Sequence, residues 1–167
     1  MGIYTRLKQI YSNIYYSGKI KKRALFCGKE FYCGGKSYVT SNTYIDDHVS
    51  FNGMRISGNG KVVIGKYFHS GTGCQIISSF HNYEGNSIPY DTSYIDKDVM
   101  IEDFVWLGNN VIILGGVTIG EGAIIQAGSI VCKDIPPYSI AGGHPASPFK
   151  TRDIAHYNEM KALKRYY

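Results

Sequence analysis

The chain of 167 residues lacks any run of eighteen apolar residues, so no helix of it is expected to cross a bilayer. Its basic start lacks the apolar core of a signal peptide, which makes a cytoplasmic location the default expectation. Proline is sparse, with five residues against twenty glycines, and that balance points to tight turns rather than disorder. The four cysteines, Cys27, Cys33, Cys74 and Cys132, show no metal-ligand spacing. Tryptophan occurs once, whereas tyrosine occurs fifteen times. The net charge of +5 is concentrated at the ends, in Arg6–Arg23 and Lys150–Arg165. No nucleic-acid-binding motif accompanies those clusters, so no nucleic-acid partner is expected. Solvation, an anionic ligand or an anionic membrane surface accounts for them equally well.

What the chain does have is a repeat. From Ile95 it divides into sixes without a gap: IDKDVM, IEDFVW, LGNNVI, ILGGVT, IGEGAI, IQAGSI, VCKDIP. The first position is always aliphatic: Ile95, Ile101, Leu107, Ile113, Ile119, Ile125, Val131. The fifth is small or aliphatic: Val99, Val105, Val111, Val117, Ala123, Ser129, Ile135. A helix turns every 3.6 residues and a strand alternates every two, so neither explains a period of six. A coil with three short flat sides does, each hexad supplying one strand and one turn. First-position side chains stack inside, and fifth-position residues fill the corners.

Weaker copies precede this block. Cys27, Cys33, Val39, Ile45 and Phe51 hold the spacing, with Phe31, Ser37, Thr43 and Val49 at the fifth position. Ile64, Ser70 and Ile76 continue one residue out of phase, with Phe68, Cys74 and Phe80. Cys27, Cys33 and Cys74 therefore read as packing residues. Residues 82–94 carry no hexad pattern and are expected to leave the coil as a loop, the part of a solenoid that often bears function. The repeat is expected to end near Pro136-Pro137. Ile3, Leu7, Ile10 and Ile14 suggest an N-terminal helix stopped by Gly18, and Ile154, Tyr157, Met160 and Leu163 suggest a second helix. Both are expected to cover the open ends of the coil, membrane contact by the first being the lesser alternative. The resulting division is a helical segment 1–24, a coil domain 25–149 with its loop at 81–94, and a helical segment 150–167.

The segment VWLGNNVIILGGVTIGEGAIIQAGSIVCKDIPPYSIAGGHPA and the loop SSFHNYEGNSIPYD resemble the bacterial hexapeptide-repeat acyltransferases. The likeness covers about residues 27–152. It implies an all-β fold, a left-handed parallel β-helix with short terminal helices, assembled as a homotrimer with active sites between subunits. It also implies transfer of an acetyl group from acetyl-CoA to a hydroxyl or amine, with no metal.

Such a reaction needs a base, and imidazole, with an ordinary pKa of about 6.5, suits it. His81 opens the irregular loop and matches the family's histidine. A base also needs an orienting partner, which Glu84 or Asp91 of the same loop, or a backbone carbonyl, would supply. Asn52 resembles a residue that faces the acceptor in some relatives. The resemblance places Trp106, Asn109, Ala127, Cys132 and Lys133 along the cofactor, with Gly142 and Gly143 allowing its close approach. It likens Lys150 and Arg152 to the family's phosphate-binding cations. Cys132 replaces the usual Thr, and His144, in GGHPA, replaces the usual Asn and reads as a turn residue that tolerates a left-handed backbone. His48 and His69 are expected outward and His156 solvated.

A zinc enzyme of the same fold, the γ-class carbonic anhydrase, would need three histidines, two of them five residues apart, and no such pair occurs. A non-catalytic scaffold is the other alternative. The expected acceptor is a sugar hydroxyl in a surface polysaccharide or its precursor. An amine of a nucleotide-linked sugar or an antibiotic hydroxyl remain open.

Overall fold

The computed structural model describes residues 3–167, with residues 3–9 as backbone only. Between two helices it winds a parallel β-helix of about six turns. The first face carries β1 (Phe26–Cys27), β3 (Thr43–Ile45), β6 (Val62–Ile64), β11 (Val99–Ile101) and β14 (Thr118–Ile119). The second carries β2 (Tyr32–Gly35), β4 (Ser50–Asn52), β7 (His69–Thr72), β12 (Trp106–Leu107), β15 (Ile124–Ile125) and β17 (Ser139–Gly143). The third carries β5 (Arg55–Ser57), β8 (Gln75–Ile77), β13 (Ile112–Leu114) and β16 (Ile130–Val131). Within each face the strands pair in parallel, coil on coil.

The hexad rule becomes a set of stacked rows. Ile45, Ile64, Ile101 and Ile119 are in register on the first face, and Ile76, Ile113 and Val131 on the third, all fully buried. Each such side chain contributes about 1.5–3 kcal/mol relative to leaving it in water. The corner residues Val99, Val105, Val111, Val117, Ala123, Ser129 and Ile135 are buried as the fifth position requires. Cys33 and Cys74 are buried among them, and Cys27 is half-buried.

Asp and Asn recur at the turns for a concrete reason. Their carboxylate or amide oxygen accepts the backbone N–H of the coil below, as in Asp47 to Lys29 (2.7 Å), Asp103 to Lys66 (2.7 Å) and Asn109 to Thr72 (2.9 Å). The contact spans 18 residues from Asp47 but 37 from Asp98 to Lys61, which locates one insertion between the third and fourth coils.

That insertion begins earlier than the sequence pattern suggests. It opens as an antiparallel hairpin of β9 (Ser79–His81) and β10 (Tyr94–Asp96), with Phe80 opposite Ile95. Both were expected inside the prism. Both are instead half-buried at the hairpin's base, because alternation at two competes with the hexad once the chain leaves the corner. The repeat also outlasts Pro136-Pro137. Ile135 bridges to Ile119, and β17 adds another parallel strand before folding back antiparallel as β18 (Ala146–Thr151). The two prolines fit because they occupy an exposed corner, where no ladder donor is needed.

The N-terminal helix α1 (Ile3–Arg23) runs five residues past Gly18. A glycine costs a helix about 1 kcal/mol, and burial of Ile20 outweighs it. Ile10 and Ile14 are exposed, and the side chains of Ile3 and Leu7 lie outside the described residues. The packing face is Asn13, Ser17 and Ile20. Asn13 accepts the Cys33 N–H at 2.9 Å and Ser12 donates to the Gly34 carbonyl at 3.2 Å, so α1 closes the free edge of the first coil as expected.

The helix α2 (Ile154–Ala162), capped by Asp153, does something else. It lies back along the corner between the first and second faces. There His48, Tyr67 and Phe104 take left-handed backbone and stack at 4.6 and 5.0 Å. Tyr157 is the helix's buried residue and packs on Phe104 and Tyr138, while Ile154 and Leu163 stay exposed. Gly122 occupies the next coil of that corner, and a Cβ there would lie 2.9 Å from the Tyr157 ring. Glycine is what allows the helix so close.

Candidate active site

The hairpin springs from the corner between the third and first faces. His81 ends β9, directly opposite Tyr94. Its imidazole packs on two rings, Tyr90 at 4.0 Å and nearly parallel, and Tyr94 at 4.5 Å and tilted. Nδ1 is buried and has no hydrogen-bond partner among the described residues. A buried polar atom left unpaired costs about 1–3 kcal/mol.

Neither carboxylate of the loop touches the imidazole. Asp91 accepts the Ser93 hydroxyl, the Ser93 N–H at 2.8 Å and the Asn86 N–H at 3.2 Å. Those bonds, the Ser93 hydroxyl foremost, hold its carboxyl below the usual carboxylate value. Gly85 sits against it, with no room there for a Cβ. Asp91 thus folds the loop that brings Tyr90 over His81. Glu84 is exposed, its N–H donated to Asn82 at 3.1 Å. The two tyrosines were missed because only the hairpin's register shows that they flank the histidine. An aromatic residue on each side of an irregular, polar loop was the available signal.

The residues likened to cofactor contacts divide between corners. Cys132 and Lys133 are exposed at the corner from which the hairpin springs. Asn109, Ala127, Gly142 and Gly143 lie at the next corner, between the second and third faces. The two groups flank the outer surface of the third face. At the second of them backbones approach closely, since a Cβ on Gly108 would lie 2.5 Å from the Ala127 nitrogen. Gly143 carries the left-handed backbone of the β17–β18 turn, at φ 103°. His144 does not, and its ring instead contacts the Gly128 carbonyl.

Asn52 is tied into the second face, its amide donating to the Ser70 carbonyl at 3.0 Å. Lys150 is exposed on β18, opposite Ile140. Trp106 and Arg152 are set apart from the third face. Trp106 projects half-exposed from the second, and Arg152 donates to the Gly122 carbonyl at 2.9 Å with its guanidinium over Tyr157. They line a cavity of about 440 Å³ between the second face and the C-terminal segment. His48 and His69 face outward from the coil as expected and line it too, half-buried there.

No described helix is long and apolar enough to cross a membrane. No three His, Cys, Asp or Glu side chains of the described residues converge as a metal site.

Residues 98–133 match the bacterial transferase hexapeptide (six repeats) model. A chloramphenicol acetyltransferase of Agrobacterium fabrum is 43% identical over 89 residues, 51% of this chain and 40% of that protein. The chain spans about half or less of the length of the curated relatives it matches. The hexapeptide-repeat-containing acetyltransferase VCA0836 of Vibrio cholerae superposes with a TM-score of 0.73 at 23% identity, over 88% of each chain. A galactoside acetyltransferase solved with coenzyme A gives 0.69 at 24%, over 90% of this chain and 84% of that one. With this repeat and this coil, the chain shares the fold of the hexapeptide-repeat acetyltransferases.

Proposed function

We propose that the protein is an acetyl-CoA-dependent O-acetyltransferase acting on a sugar hydroxyl, of a surface polysaccharide or its precursor, with His81 as general base. The observation that carries the reading is the setting of His81: an imidazole on a projecting hairpin, held by the rings of Tyr90 and Tyr94 with no carboxylate on it. The named acetyltransferases among the relatives and structural neighbours support the reaction class.

The residues fit the thioester co-substrate. Asn109 and Ala127 on one side, and Cys132 and Lys133 on the other, border the third face, and the close backbones at Gly108 and Ala127 leave that border shallow. Lys133 and Lys150 supply cations for its phosphates. Acetyl-CoA itself brings an acyl group already activated for transfer. His81 removes the acceptor's hydroxyl proton as its oxygen bonds to the acyl carbon, and returns that proton to the departing thiolate. Backbone N–H groups of the coil are the available donors to the developing oxyanion.

The partner that supplies the rest of the active site is a second copy of the chain. A homotrimer working in the cytoplasm places each hairpin against a neighbour. The direct test is release of free CoA from acetyl-CoA with a panel of sugars, amino sugars and chloramphenicol. Sugar-dependent release supports the reading. Release only with amino sugars or chloramphenicol, or none with any acceptor, contradicts it.

A further inference from the structure

The cavity of about 440 Å³ over the second face is within the size of small-ligand sites, and it belongs to neither the hairpin nor the third face. Its floor is one outward row across three coils. Ser50 pairs in register with His69, and His69 with Trp106. Burial lowers the pKa of the His69 imidazole, so the neutral ring offers one donor and one acceptor at neutral pH. With the Ser50 hydroxyl it makes a polar edge beside the flat, half-exposed face of Trp106.

The walls are cationic. Arg152, Lys161 and Arg165 line the cavity, and no Asp or Glu side chain of the described residues does. Lys161 is neutralised by Glu121, whose carboxylate also accepts the Tyr157 hydroxyl. The Glu30 carboxylate lies against His48. Neither Arg152 nor Arg165 is ion-paired with a side chain among the described residues. Arg152 is also held in place, with one N–H on the Gly122 carbonyl and its plane over Tyr157 at 4.8 Å. A guanidinium fixed this way keeps further N–H groups for a carboxylate or phosphate.

We infer that this cavity binds an acidic sugar: a monosaccharide unit bearing a carboxylate or a phosphate. Trp106 takes an apolar face of the ring, Ser50 and His69 take hydroxyls, and Arg152 and Arg165 take the anion. Its role as the acceptor rests on the acetyl-transfer reading above. In a three-sided coil, the corner that bears the hairpin lies opposite the second face, so the imidazole that reaches this sugar comes from a second copy of the chain.

Trp106 is the chain's single tryptophan, so intrinsic fluorescence reports on this cavity without any turnover. The full chain is titrated with glucuronate, glucose 6-phosphate, glucose, inorganic phosphate, ADP and acetyl-CoA. Saturable quenching by either acidic sugar, at least about tenfold tighter than by glucose and than by phosphate or ADP, supports the site, a difference of about 1.4 kcal/mol. Arg165→Gln, at an exposed position, is then expected to weaken that binding about tenfold while leaving the melting temperature unchanged. Equal response to glucose, response only to phosphate, ADP or acetyl-CoA, no response, or unaltered binding by the variant overturns it. Because binding is measured alone, these outcomes stay separate from the CoA-release assay. A protein that binds acidic sugars but releases no CoA keeps the site and loses the reaction.

Discussion

His81 and Tyr90 stack with ring centroids 4.0 Å apart and planes 13° from parallel. Tyr94 packs on the same imidazole from across the hairpin, at 4.5 Å and tilted by 35°. The histidine is thus oriented by packing rather than by a carboxylate, and the loop carboxylate Asp91 acts one step back, by shaping the turn that carries Tyr90.

Removing the ring of Tyr90 should therefore release the base without removing it. Tyr90→Leu is expected to lower kcat by about 10- to 100-fold, the cost of misplacing a reacting group by about 1 Å, with KM for acetyl-CoA little changed. Tyr90→Phe keeps the ring and should restore most of the rate. Steady-state kinetics of the two variants check this; equal losses would mean that the hydroxyl matters and the stacking does not.

The docking of α2 depends on a missing side chain. At Gly122 a Cβ would meet the Tyr157 ring at 2.9 Å. Gly122→Ala is expected to destabilise the fold by about 1–3 kcal/mol, as overpacking does, and to increase hydrogen exchange in Ile154–Ala162. Denaturant unfolding and exchange mass spectrometry read the two effects. Protection of α2 equal to wild type would contradict the close packing.

Burial keeps His69 below its ordinary value of 6.5. Between the folded and unfolded values the unfolded chain binds more protons, so stability rises with pH across that window. The contribution is fully present above the unfolded value and is lost as pH falls through the folded one. Melting temperature should thus drop more in wild type than in His69→Gln between about pH 7.5 and about pH 5. Equal drops would mean that His69 is as well solvated in the fold as in the unfolded chain.

The coil was legible in the sequence because its rule is local: every sixth side chain points inward, and Ile101 to Val131 obey it without exception. The histidine was legible because the rule fails beside it. What was not legible depends on contacts far apart in the chain. Phe80 and Ile95 fit the hexad on paper, yet they pair with one another outside the prism. Pro136-Pro137 reads as a stop, but an exposed corner tolerates prolines and β17 follows. Nothing in the spacing of Ile154 to Leu163 says that only Tyr157 finds a buried place, because that place is made by Gly122, Phe104 and Tyr138 on three other coils. The spacing also does not say that Trp106 and Arg152 meet His69 at one cavity over the second face.

The central claim is that the imidazole at position 81 performs the proton transfer. Turnover of acetyl-CoA with an accepted sugar, compared between wild type and His81→Ala, tests it most directly. The variant is expected to fold and to bind acetyl-CoA like wild type, while kcat falls by at least about 100-fold. Turnover at the wild-type rate in the variant would contradict the account.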